Sequence, residues 1–140
     1  PNIILRLEGG ILSYLADIDR TNNPYEVGLE RMVDLDQEDD FIGKEALREI
    51  SLKGPAKKLM GAEIQGEPLK VFNEEHWPVS INGKTVGSMN ALVYSPRLDK
   101  NICYTILNIE HAKSGQEIII SSPEKELIAT TVDLPWLERA

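Results

Sequence analysis

Residues 6 to 14 read RLEGGILSY, an arginine, a carboxylate and a tyrosine set around two consecutive glycines. Arg6 offers a planar, permanently charged fork that suits a carboxylate or a flat ring, and glycines leave the backbone beside it free of side chains. Glu8 and Tyr14 add hydrogen-bonding groups to the same stretch. Each glycine costs a helix about 1 kcal/mol relative to alanine, so a pair within one turn makes sense where something approaches the backbone closely. Two readings stand. Arg6, Glu8 and Tyr14 line a binding surface, or Arg6 pairs with a carboxylate of a docked neighbour and the glycines serve packing alone.

The remaining groups with chemical potential are less specific. In DLDQEDDFIGKE, residues 34 to 45, Asp34, Asp36, Glu38, Asp40 and Glu45 fall at EF-hand ligand spacing, but Asp39 stands where the tight calcium turn requires glycine. The run therefore reads as a solvated loop that feeds negative charge into a helix N-terminus. His76 and His111 lie far apart, neither in metal-ligand spacing, and read as surface histidines. Cys103, the single cysteine, alternates with Ile102 and Tyr104 in strand-like sequence and reads as a small buried hydrophobe. Trp77 and Trp136 each neighbour a proline and read as packing rather than stacking platforms. No phosphate-cradling glycine loop or nucleophile triad is present, so no catalytic residue is assigned.

The elements that must position these groups change character at Pro55. Before it, Ile4, Leu7, Ile11 and Leu15 recur at helical spacing and share one face, with Arg6, Gly9 and Gly10 on the next. Asn23-Pro24-Tyr25-Glu26 supplies an N-cap, a first-turn proline and a capping-box glutamate for a second helix running to about Val33. A third helix follows Asp40, with Ile42, Ala46, Leu47 and Ile50 inward, and stops at Gly54-Pro55. After Pro55 the pattern alternates: residues 57 to 65, 68 to 72, 78 to 81, 84 to 94, 101 to 109, 116 to 121 and 127 to 133 predict strands separated by turns. Asn82-Gly83 predicts a two-residue type I′ hairpin. The fold class expected is α+β: a short helical N-terminal segment followed by an antiparallel Greek-key β-barrel of about six strands.

Composition bounds the partners. The chain has 140 residues, 41% hydrophobic and 27% charged, and no apolar run long enough to span a bilayer, so no membrane role is expected. A net charge of −8 argues against nucleic acid, which needs clustered basic residues. The charge is uneven: residues 1 to 55 carry six basic and twelve acidic side chains, and residues 56 to 140 carry nine and eleven. One cysteine allows no internal disulfide, which fits a reducing, cytoplasmic setting. Three short helices in about 55 residues cannot bury a sizeable core alone, so the front segment must dock on the barrel or on residues preceding Pro1.

The succession RLEGGILSY, DID, NPYEVGLERMVDLD, DFIGKEAL, GSMNALVYSP and DLPW resembles, in order from Arg6 to Trp136, the aminomethyltransferase family. That family includes the T-protein of the glycine cleavage system and the dimethylsulfoniopropionate demethylases. The resemblance implies a C-terminal portion of a three-domain cloverleaf built around a tetrahydrofolate site. Residues 1 to 55 would be the tail of the central folate-binding region, and residues 56 to 140 the C-terminal barrel. It further implies transfer of a one-carbon unit from a small-molecule amine or sulfonium donor to tetrahydrofolate. The family's acidic catalytic residue lies in an N-terminal region with no counterpart here, so the implied partner is that missing region of the same protein, and this chain alone is expected to be inactive. Arg6, Glu8 and Tyr14 become candidate folate contacts. Leu15 stands where the family often has glycine, Asn90-Ala91-Leu92 replaces a commoner Thr-Ser-Gly, and Trp136 replaces phenylalanine. EGGILSY and GKEALREISLKGP look closer to the demethylase branch. The alternative is a non-catalytic β-barrel that mediates protein association through its helical arm, and either account allows a homodimer.

Overall fold

The change of period at Pro55 marks where the chain stops turning and begins to pair. A computed structural model describes residues 3–137. Six strands, β1 (Lys57–Ile64), β2 (Trp77–Ile81), β3 (Lys84–Ser95), β4 (Lys100–Asn108), β5 (Glu117–Ser121) and β6 (Glu126–Val132), follow two helices, α1 (Ile3–Glu8) and α2 (Lys44–Lys53). The strands close a barrel in the order β1-β4-β3-β2-β5-β6, every pair antiparallel. The meander β2-β3-β4 with β1 returning beside β4 is a Greek key, as expected from the sequence. Asn82 and Gly83 sit at φ 50° and 76°, the two positive values a type I′ turn demands.

Residues 68 to 72 form no strand. Pro68 carries no N–H, and the Leu69 N–H donates to Asn101 Oδ1 at 2.8 Å while Asn101 Nδ2 donates to the Glu67 carbonyl at 3.0 Å. A buried side-chain amide thus takes the place of a strand partner for that segment. Pairing resumes only at Asn73, which exchanges backbone hydrogen bonds with Leu92.

The helical forecasts need more correction. α1 ends at Glu8 instead of running to Leu15. Gly10 takes φ 68°, the Gly10 N–H bonds the Leu7 carbonyl and the Ile11 N–H bonds the Arg6 carbonyl, which together make a Schellman stop. Ile11 and Leu15 consequently leave the helix face and are exposed, whereas Leu7 is fully buried. Around Asn23 the capping box forms as read: Asn23 Oδ1 accepts from the Tyr25 and Glu26 N–H groups, and Glu26 Oε2 accepts from the Asn23 N–H. No long helix follows, because the Glu26 carbonyl accepts from Leu59 of β1 at 2.7 Å rather than from Glu30. Only a 3-10 turn at Glu30–Met32 continues it. The third helix does form, starting at Lys44, but Ile42 and Ala46 are exposed and α2 buries none of its side chains.

Two apolar clusters result. One fills the barrel interior, from Met60, Ala62 and Ile64 through Val79, Met89, Cys103 and Leu107 to Ile118, Ile120 and Ala129. The other lies outside β1, β3 and β4, where Leu59, Ala91, Val93, Ile102 and Tyr104 meet Leu7 of α1 and Trp136 of the C-terminal strap. That second cluster is why β4 is buried on both faces from Asn101 to Thr105. Burial of Leu7 there anchors the front segment with roughly 1.5–3 kcal/mol.

Candidate functional site

The chemistry singled out in the sequence gathers at the joint between α1, the loop that follows it and the outer face of the barrel. A bulge in β3 builds this joint. Between Asn90 and Val93 the register against β4 slips by one residue, and Ala91 adopts φ 54°. Ala91 and Val93 join the outer cluster while Leu92 turns into the barrel, so alternation is interrupted here. Asn90, the last residue in register before the bulge, faces the loop after α1: its Nδ2 donates to Asp17 Oδ1 and to the Ala16 carbonyl, both at 3.0 Å.

Asp17 is the centre of the arrangement. Its side chain has no exposed surface, its Oδ2 accepts from the Ser13 N–H at 2.6 Å, and the same oxygen is ion-paired with Arg6 Nη1. Arg6 Nη1 also reaches the Ile11 carbonyl at 3.4 Å. The other guanidinium nitrogen, Nη2, is buried and has no hydrogen-bond partner among the described residues. A buried donor left unmatched costs about 1–3 kcal/mol, more when charged. Arg6 borders a shallow apolar depression with Ile3, Leu5 and Ile11, and Tyr14 and Leu15 stand exposed on the same loop. Leu15 is held at φ 73°, the left-handed conformation that the glycine of the commoner family pattern adopts without strain.

Glu8 does not converge with Arg6. Two positions apart on a helix, the side chains diverge by about 200°. Glu8 is buried, its Oε1 accepts from Ser95 Oγ at 2.5 Å, and Arg97 Nε lies 3.7 Å from its Oε2. The Glu8 carbonyl accepts from the Leu137 N–H at 3.2 Å, which ties α1 to the C-terminal strap. Gly10 completes that tie, since a Cβ there would meet Pro135 Cβ at 3.2 Å. The second reading of the glycines, close packing, thus accounts for Gly10, and the carboxylate paired with Arg6 comes from its own loop.

Tyr104 closes the joint from below. Its hydroxyl lies 3.1 Å from the Ile11 carbonyl and 3.3 Å and 3.5 Å from those of Arg6 and Leu7, at the C-terminal end of α1 and the turn that follows it. Trp136 stacks on it at 6.2 Å between ring centroids. Burial, then the Asp17 charge, pushes the Tyr104 phenol above its ordinary pKa, and burial alone does the same for the Cys103 thiol inside the barrel. His76 Nε2 approaches the Ala16 carbonyl at 3.1 Å, and His111 pairs with its neighbour Glu110. In the acid run, Asp34 Oδ1 accepts from the Asp36 and Gln37 N–H groups and so serves as an Asx turn. No cluster of metal-ligating side chains occurs among the described residues. No helix among them is long and apolar enough to cross a membrane.

Sequence reasoning missed Asp17, Asn90, Ser95 and Tyr104 as members of the joint. The DID and SMNALVYSP motifs carried the first three, but nothing local to either motif shows that Asp17 and Asn90, 73 residues apart, meet.

A closed Greek-key barrel carrying a short helical arm, with a C-terminal strap locking the two together, defines the class of module. Residues 57–138 match the family of glycine cleavage T-protein C-terminal barrel domains, and the chain belongs to that family, as the C-terminal domain of the aminomethyltransferases. It is 33% identical over 124 residues to a dimethylsulfoniopropionate demethylase of Ruegeria pomeroyi, covering 89% of this chain and 33% of that protein. It is 35% identical over 132 residues to an aminomethyltransferase of Herpetosiphon aurantiacus, covering 94% and 36%. The crystal structure of glycine cleavage system aminomethyltransferase T from Bartonella henselae shares the fold, with a TM-score of 0.82 at 22% identity over 96% of this chain and 37% of that one. The chain spans about a third of the length of the curated relatives it matches.

Proposed function

We propose that this chain is the C-terminal portion of a tetrahydrofolate-dependent aminomethyl or methyl transferase, in which Arg6 and Tyr14 supply part of the folate wall. The single observation that supports this is Arg6, which borders the apolar depression of Ile3, Leu5 and Ile11 and whose buried Nη2 has no hydrogen-bond partner among the described residues. Apolar walls with one placed polar group suit a flat heterocycle. Tetrahydrofolate, when bound, supplies the nitrogen that accepts the one-carbon unit. The residues of this chain bind and orient it: Arg6 donates to an acceptor on the ring system, Tyr14 shields one edge, and Glu8 secures α1 from behind through Ser95. The donor would be a small amine or sulfonium, and the acidic catalytic group and remaining folate wall would come from a preceding region of a longer polypeptide.

Titration calorimetry with 5-formyltetrahydrofolate, on the polypeptide with whatever precedes Pro1 in its own reading frame and on its Arg6→Ala variant, tests the assignment. Weaker binding by the variant supports it, and equal affinities remove Arg6 from the site. The rival, a non-catalytic interaction module, is favoured by α2, which leaves Leu52 and neighbouring Ile42 exposed. Reading the coding frame upstream of Pro1 separates the two. Roughly two further domains in frame support the transferase, and a start codon beside Pro1 supports the module.

A further inference from the structure

We infer that Asn90 and Asp17 are positioning residues that present Arg6 as a charge-neutralised donor, so that the ligand group taken at Arg6 is an uncharged acceptor on a flat ring rather than a carboxylate. The inference rests on the folate reading and narrows it to one part of the ligand. Asp17 cannot swing away: its oxygens are engaged by Asn90 Nδ2, the Ser13 N–H and Arg6 Nη1, and its side chain is sealed from water. Asn90 cannot swing either, since its backbone is paired with Tyr104 in β4 and its amide also holds the Ala16 carbonyl. The guanidinium is therefore fixed through one nitrogen, while the other is buried with no hydrogen-bond partner among the described residues.

The electrostatic consequence follows from distance. A ligand carboxylate brought to Nη2 meets one positive charge and, a few ångströms further on, one negative charge that nothing else in the described joint compensates. Once the remaining folate wall closes the site and excludes water, the attraction of Arg6 is largely cancelled by repulsion from Asp17, while the carboxylate still loses its hydration. A ring or amide carbonyl loses far less on leaving water and needs only the N–H. The walls offered by Ile3, Leu5 and Ile11 fit the same uncharged, flat partner.

Two probes divide the ligand: 6-methyltetrahydropterin, which is uncharged, and p-aminobenzoylglutamate, which is anionic. Each is titrated into the full polypeptide and its variants. Arg6→Ala is expected to weaken the pterin about tenfold, the worth of one charge-assisted hydrogen bond, and to leave the anionic probe unchanged. Asp17→Asn is expected to weaken the pterin and to strengthen the anionic probe, because Arg6 becomes an uncompensated cation. The double variant is expected to bind the pterin no worse than Arg6→Ala alone, as for residues acting in one unit. Asn90→Ser, which keeps a small polar side chain on the bulge, provides the same comparison if Asp17→Asn does not fold. Additive losses for Arg6 and Asp17, or an Arg6→Ala loss confined to the anionic probe, overturn the inference while leaving Arg6 in the folate site. No loss for either probe on Arg6→Ala removes the folate reading itself.

Discussion

Adding one methyl group at Gly61 should destabilise the chain chiefly through Trp136. Gly61 lies in β1 at the point where the C-terminal strap crosses it, between Tyr104 of β4 and Val132 of β6. A Cβ there would lie 2.7 Å from Trp136 Cζ2, 2.9 Å from Cη2 and 2.9 Å from Val132 Cγ2. Ordinary carbon contacts are about 3.5 Å, so the indole must retreat by about 0.8 Å. It has little freedom to do so, being stacked on Tyr104 and held on either side by Pro135 against Gly10 and by the Leu137 N–H on the Glu8 carbonyl. Overpacking of this kind costs about 1–3 kcal/mol, offset by about 0.4–1 kcal/mol because alanine restricts the unfolded chain. Gly61→Ala is expected to lose roughly 0.5–2 kcal/mol. In a Trp136→Ala background two of the three close contacts vanish and only Val132 has to give, so the same change should cost less. Urea unfolding of the four-member cycle measures the coupling, expected at about 1 kcal/mol or more. Equal costs in both backgrounds, within about 0.3–0.5 kcal/mol, would refute the strap geometry.

Leu7→Ala should cost about 2–5 kcal/mol, because Leu7 is the fully buried contact that seats α1 on the barrel; urea midpoints and limited proteolysis near Gly10 report it. Ser95→Ala should cost about 1.5–3 kcal/mol by removing the hydroxyl donor to the buried Glu8 carboxylate, and a loss below about 0.5 kcal/mol would mean that Arg97 suffices. Cys103 and Tyr104 hold their protons more tightly folded than unfolded. Their stabilisation is therefore complete below the ordinary thiol pKa of about 8.5 and declines as pH rises past it, by up to about 1.4 kcal/mol per pH unit for each group. Unfolding midpoints at pH 7 and pH 10 should show the fall, Cys103→Ala should remove its first part, and a flat profile would contradict the burial of both groups. Iodoacetamide should label Cys103 only under unfolding conditions.

The barrel was legible because each strand needs only a local alternation and a turn, and the Asn82-Gly83 dipeptide fixes one hairpin outright. Residues 68 to 72 misled because alternation cannot reveal that Asn101, more than thirty residues away, supplies the hydrogen bonds a neighbouring strand would have given. The second helix failed for a related reason. Its capping box is intact, yet a single carbonyl diverted to Leu59 is enough to end propagation. In each case a long-range hydrogen bond outcompeted a local preference worth only fractions of a kcal/mol per residue.

At the joint the same competition explains which site residues could be read. Arg6 was conspicuous because a charged fork beside two glycines is unusual anywhere; Asp17 and Asn90 are ordinary polar residues until the fold brings them face to face. The two glycines also prove less equivalent than they look in RLEGGILSY. Gly10 is required twice over, by its positive φ and by Pro135, whereas a Cβ at Gly9 would press only on the Leu5 carbonyl of its own helix, at 3.2 Å. Ending α1 at that point is what frees residues 11 to 18 to fold back over Arg6 and bring Asp17 to it. Had the helix continued to Leu15, as its apolar spacing invites, Arg6 would face outward without a counter-charge. A helix stop at Gly10, a bulge at Ala91 and the Trp136 strap are thus three separate departures from regular structure that fix the surroundings of one guanidinium.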